Sequence, residues 1–143
     1  MGRWTGERLS RMAENRLPGH LGIRLVVFEP GRVQLELPIH DRLLAPNGYL
    51  HGGTVVALAD TAAGFGSLSL LDETESFTTI ELSASFLGTA REGLLVAETH
   101  ARHIGRTTHV WDVEVKAPGK EKPIALFRCT QLVLRPQASQ APG

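Results

Sequence analysis

The segment that most restricts this chain's fold is 53–70, which has no proline and is apolar on almost every side: Val55, Val56, Ala57, Leu58, Ala59, Ala62, Ala63 and Phe65. A helix with so little polar surface cannot lie against solvent and has to be enclosed. Ala57, Ala59, Ala62, Ala63, Gly64 and Gly66 are small, so the enclosing structure can come close. The two glycines weaken the helix locally, and tight packing has to offset that loss.

The enclosure must come from the rest of a 143-residue chain, the length of one domain. Beyond Asp72-Glu73-Thr74-Glu75 the hydrophobic period becomes two, which predicts strands over 77–87, 93–104, 107–116 and 123–134. The turns fall at 88–92, 105–106 and 118–120, so the four strands read as an antiparallel meander. Before the helix, 23–28 and 33–37 form a hairpin about Glu29-Pro30-Gly31, and 40–50 is a loop with Pro46, Asn47 and Gly48. Residues 5–16 read as a short amphipathic helix with Leu9, Met12 and Ala13 on one face, ended by Pro18-Gly19. The expected architecture is α+β: a strongly curved antiparallel sheet wrapped around one long central helix, with a short N-terminal helix. It forms a single domain over 1–143, with the N-terminal helix in 1–18 and a frayed tail at 135–143.

Charge excludes one class of partner. Lys plus Arg and Asp plus Glu both number 15, so there is no basic excess to neutralise nucleic-acid phosphates. Cys129 is the only cysteine, which rules out an intrachain disulfide and fits a reducing compartment. Residues 1–16 lack the apolar core of a signal peptide, and no run approaches the roughly 20 apolar residues of a membrane helix. A cytoplasmic protein with neither nucleic-acid nor membrane partner is expected.

Two features carry chemistry. His51-Gly52-Gly53 stands where the loop enters the long helix. A helix start leaves backbone N–H groups unpaired, the macrodipole adds positive potential, and glycine lets a ligand reach that backbone. Such a place can hold a carbonyl oxygen as it becomes an oxyanion; the alternative is a tight entry turn. The second feature is Asp60, a carboxylate between Ala57, Ala59, Ala62, Ala63 and, one turn back, Val56. Desolvation there would raise its pKa toward that of a useful base. The alternative is a solvated carboxylate, or one held structurally by Thr61 or Thr78. Gly53 and Asp60 project from nearly the same face but lie about 10 Å apart along the axis. If both act on one carbonyl, the helix start of one subunit must meet Asp60 of another, which predicts a dimer with composite sites.

The run Asn47-Gly48-Tyr49-Leu50-His51-Gly52-Gly53, followed by Leu58-Ala59-Asp60-Thr61-Ala62, resembles the PaaI branch of the hotdog-fold acyl-CoA thioesterases. The likeness extends over about residues 19–134. It implies hydrolysis of acyl-CoA, with an aromatic or medium-chain acyl group, to free acid and coenzyme A. Gly52 N–H would be the oxyanion donor, His51 would shape the turn, and Asp60 would be general base or nucleophile. Many relatives carry an Asn or Gln six residues before the histidine to polarise the thioester. Here that position is Ala45, with Asn47 four before as its substitute. Some relatives place a Ser or Thr on the next strand to position water, and Thr78 matches best, with its neighbour Thr79. Gly53, Thr79 and the turn Gly105-Arg106-Thr107 are the expected contacts to substrate and coenzyme A, Arg106 foremost. Leu43, Leu44, Tyr49, Leu68 and Leu71 are candidates to line the acyl pocket. A dimer of dimers is the family expectation, without cofactor.

Other chemistries find less support. His100 and His103 have an odd separation on a strand, which sends them to opposite faces and defeats chelation, so no metal is expected. There is no Gly-x-Ser-x-Gly elbow, and Gly64-Phe65-Gly66 lacks the third glycine of a dinucleotide loop. Trp111 and Phe86 read as core or interface. A hotdog hydratase or dehydratase, and a non-catalytic acyl-CoA-binding module, remain as alternatives.

Overall fold

The computed structural model describes residues 2–137. Its elements are α1 (Gly6–Glu14), α2 (Leu17–Leu21), β1 (Arg24–Glu29), β2 (Arg32–Pro38), α3 (Gly52–Leu68), β3 (Ser76–Phe86), β4 (Leu94–Ile104), β5 (Thr108–Lys116) and β6 (Ala125–Leu134), with a 3₁₀ turn at Asp41–Leu43. All six strands form one antiparallel sheet in the order β1-β2-β4-β5-β6-β3. The expected wrap of a curved sheet about one helix is what the chain adopts.

The sheet's inner face and α3 make the core. Leu35, Leu37, Leu95, Ala97, Trp111, Val113, Val115, Ala125, Phe127 and Cys129 pack against Val55, Leu58, Ala59, Ala62 and Ala63, all buried. The glycines of α3 face aromatic rings. A Cβ on Gly64 would stand 2.3 Å from Phe77 Cζ, and one on Gly66 3.0 Å from the Trp111 ring. Burial of a large aromatic is worth about 2–3 kcal/mol or more, against about 1 kcal/mol for a mid-helix glycine. Packing therefore wins.

Several expectations need correction. The four later strands are not a simple meander: β4, β5 and β6 are, but β3 pairs with β6 at the far edge. Residues 87–93 look like a hairpin turn yet cross three strand spacings, about 14 Å, a distance seven residues can span. The N-terminal segment is two short helices, because Pro18 falls in the first turn of α2, where its missing N–H has no cost. Arg135, expected in the frayed tail, pairs with Glu75 at 2.7 Å and donates to the Arg106 carbonyl; 138–143 lie outside the described residues. His100 and His103 share a face after all, since a bulge between Ala101 and His103 restores the parity. No group of three or more His, Cys, Asp or Glu side chains among the described residues is placed to hold a metal ion.

Candidate active site

The site is laid out along one stripe of α3. Gly52, Val56, Asp60 and Gly64 recur every four residues and so share a side of the helix. That side looks onto the inner face of β3. Phe77, Thr79, Leu82, Ala84 and Phe86 pair with the inward-facing Val133, Gln131, Cys129, Phe127 and Ala125. A bulge between Thr79 and Glu81 keeps both halves of β3 on that parity. The Phe77 ring lies on Gly64, Thr79 on Asp60, and the Phe86 ring on Gly52.

At the start of α3, His51 is the N-cap: its Nδ1 accepts the Gly53 N–H at 2.7 Å. That bond fixes the imidazole as acceptor at Nδ1 and occupies the Gly53 N–H, so Gly53 has no backbone donor left for a substrate. A Cβ at Gly53 would stand 2.9 Å from the imidazole, which explains the glycine. The Thr54 and Val55 N–H groups bond the His51 carbonyl. Gly52 N–H finds no acceptor among the described residues, so the donor expected to face an oxyanion is the one left open.

Asp60 is half-buried, and Oδ1 accepts the Thr79 hydroxyl at 2.8 Å. Burial raises its pKa above the usual carboxylate value, and the Thr79 bond works against that rise. The second carboxylate oxygen is left for another proton donor. Thr78, the residue expected to act, pairs with the half-exposed Leu132 on the sheet's outer side. Strand parity decides this: Phe77 is apolar and must face the helix, so Thr79 faces it too. That signal was present in the sequence. Thr61 instead donates to the Ala57 carbonyl at 2.7 Å within its own helix. Cys129, across the strand pair from Leu82, has its thiol pushed up to about 12, first by burial and then by the nearby negative charge of Asp60.

The other expected residues are scattered. Asn47 lies on an exposed turn, where Oδ1 accepts the Tyr49 N–H at 3.2 Å. Its amide nitrogen has no partner among the described residues. Gly105, Arg106 and Thr107 make the β4–β5 turn. Gly105 N–H donates to the Thr108 carbonyl at 2.8 Å, and the Thr107 carbonyl accepts Val133 N–H at 2.9 Å. The Arg106 guanidinium forms no ion pair among the described residues. Leu43, Leu68 and Leu71 are almost wholly buried, and Leu68 lies at the base of a groove lined by Leu9, Met12 and Phe65. Tyr49 is exposed beneath the Arg91 guanidinium, 4.4 Å from its ring centre.

Comparison with known proteins fits this arrangement. Residues 47–124 match the thioesterase superfamily. A 1,4-dihydroxy-2-naphthoyl-CoA hydrolase of Listeria monocytogenes is 34% identical over 110 residues, covering 77% of this chain and 89% of that protein. The crystal structure of a mutant thioesterase PA1618 from Pseudomonas aeruginosa superposes with a TM-score of 0.85 at 32% identity, over 92% of this chain and 94% of that one. A mutant of the Staphylococcus aureus thioesterase SAV0944 gives 0.80 at 34% identity, over 84% and 99%. The fold and these likenesses define a hotdog-fold hydrolase of thioesters. The chain belongs to the thioesterase superfamily, and its likeness reaches the PaaI protein of Escherichia coli, at a TM-score of 0.78 and 26% identity over 88% and 90%.

Proposed function

We propose that this protein hydrolyses acyl-CoA thioesters with an aromatic or medium-chain acyl group to free acid and coenzyme A, in the cytoplasm, at sites shared between two copies. The observation that carries the reading is the half-buried Asp60 on the stripe of α3 that begins at the open Gly52 N–H. Gly52 and Asp60 are eight residues apart, about 12 Å along the axis, too far for one carbonyl to touch both in one chain. The strand β3 supports a paired arrangement: it is a sheet edge with one side unpaired, and Ile80, Leu82 and Phe86 on it are exposed. Two copies joined through β3 bring the Gly52 of one toward the Asp60 of its partner, and two such dimers make the tetramer. No helix is long and apolar enough to cross a membrane among the described residues.

In this mechanism the thioester carbonyl accepts the Gly52 N–H, and the helix dipole favours charge growing on its oxygen. Asp60 of the partner, its Oδ1 held by Thr79, takes a proton from water at Oδ2 as the water oxygen bonds to the carbonyl carbon. The tetrahedral intermediate collapses by breaking the C–S bond, and the thiolate of coenzyme A leaves. Burial raises the proton affinity of Asp60, which suits it to take that proton. Arg106, whose guanidinium forms no ion pair among the described residues, is the cation for a phosphate of coenzyme A, and Gly105 and Thr107 shape its turn.

The position six residues before His51 is Ala45, and Asn47 is the amide that stands nearest to it in the sequence. In the Staphylococcus aureus relative, a glutamine and a glutamate fifteen positions later have each been replaced by alanine in crystals; Ala45 and Asp60 have that same spacing. Asn47 contributes through its turn, and the carbonyl rests on Gly52. The test is thiol release from a panel of aromatic and aliphatic acyl-CoAs by wild type and Asp60→Asn. Turnover that disappears in a folded, dimeric variant supports the reading, and undiminished turnover refutes it.

A further inference from the structure

We propose that Phe86 is a specificity residue of this hydrolase: its ring walls the carbonyl seat at Gly52 and touches the thioester lying there. The proposal rests on the reading of Gly52 given above. A Cβ on Gly52 would stand 3.2 Å from Phe86 Cζ, 3.5 Å from Cε1 and 3.6 Å from Cε2. The ring therefore stands tip-first over the side of Gly52 that a Cβ would take, and the rim of a benzene ring carries the positive side of its quadrupole. A rim turned to an oxyanion is favourable, whereas a face would repel it. The same ring keeps water off that side of Gly52, and in the lower local dielectric the adjacent N–H holds developing charge more strongly.

The burial pattern sets Phe86 apart from the other inward-facing aromatics. Trp111 and Phe127 are enclosed, and Phe77 covers Gly64 on the same strand. Phe86 sits on the inner parity of β3 yet is 53% exposed, with Leu87 after it at 62%. Its cross-strand partner Ala125 is fully buried without covering the ring. An aromatic that contributes little to the core, beside a backbone donor with no acceptor among the described residues, presents an apolar wall to whatever occupies that donor. Its size then sets how much room the groups on either side of the carbonyl have.

The experiment compares wild type, Phe86→Ala, Phe86→Leu and Asp60→Asn in two measurements: kcat and KM over the acyl-CoA panel, and calorimetric binding of a ketone analogue of acyl-CoA that cannot be hydrolysed. The Phe86→Ala variant is expected to lose about tenfold or more in kcat/KM, unevenly across the panel, with Phe86→Leu between it and wild type. Melting temperature should stay at its wild-type value, and because Phe86 lies on the edge strand proposed to pair, kinetics are compared at a protein concentration where every variant is dimeric. Unchanged kinetics in Phe86→Ala, with Asp60→Asn inactive, overturns the role of Phe86 and leaves the hydrolase reading intact. A uniform loss across all substrates that tracks dissociation or a lower melting temperature also overturns it, in favour of a structural ring. Should wild type release no thiol, the hydrolase reading fails and the analogue decides: weaker binding to Phe86→Ala sustains the wall, while equal or absent binding refutes it.

Discussion

Two polar groups on α3 lie two turns apart and are built on opposite principles. Asp60 is half-buried, holds one side-chain partner in Thr79 and keeps an oxygen open. Ser67 is fully buried and engages three side chains: Trp111 Nε1–H at 2.8 Å, His109 Nδ1 at 2.7 Å and the Gln131 amide. The two clusters are neighbours in the sheet, since Thr79 and Gln131 are cross-strand partners. A hydroxyl that accepts from Trp111 and His109 and donates to Gln131 has no capacity left; the Gln131 amide nitrogen is the one buried side-chain nitrogen or oxygen without a partner among the described residues. The saturated group ties the last turn of α3 to β5 and β6. The unsaturated one has room for a reactant. Reserve hydrogen-bonding capacity, more than burial or charge alone, separates a site from a brace.

Experiments can break that contrast. The largest effect should follow Asp60→Asn: turnover falling about 10²–10⁴-fold, with no loss in melting temperature. Its raised pKa means that the folded state disfavours the charge, so removing the charge does not destabilise. A large drop in melting temperature would make Asp60 a brace as well. Next is Ser67→Ala, which strands three buried partners and should cost about 3 kcal/mol in chemical denaturation, with turnover per folded molecule unchanged. Lost turnover at full stability would reverse the contrast.

Smaller effects concern protons. Thr79→Val removes the bond that lowers the pKa of Asp60, so the acidic limb of the pH–kcat/KM profile should move to higher pH. A limb that stays or moves down would detach Thr79 from the reacting carboxylate. The pKa of His109 is lowered first by burial, then by the positive charges of Arg135 and His103, with Glu75 opposing. Its contribution is therefore present above the unfolded value of 6.5 and is lost as pH falls through the lower folded value. Melting temperature should decline in that window, and less so in His109→Gln.

Much of this was legible in the residues. An all-round apolar helix demanded a wrap, and period-two runs supplied it. His51-Gly52-Gly53 stood at a helix entry because helix starts have chemistry of their own. What escaped was non-local. Alternation fixes the face of a residue on its strand but not which strands pair, so the migration of β3 to the far edge left no local trace. The choice of Thr79 over Thr78 was within reach through the parity of Phe77. The bulges at Ile80 and Arg102, which reset that parity, carry no compositional mark. The Ser67 cluster joins positions 42 and 64 residues apart and could not be read from any one segment.

The glycines of α3 also bear on the order in which the chain folds. A segment that begins Gly52-Gly53 and carries Gly64 and Gly66 is a poor helix by itself, and it is braced by Phe77 on β3 and Trp111 on β5. Both rings come later in the chain, so during synthesis the helix waits for strands that have yet to emerge. Recovery of thiol release after denaturation should accordingly lag behind the quenching or shift of Trp111 fluorescence, which makes catalysis itself a reporter of the last step of assembly.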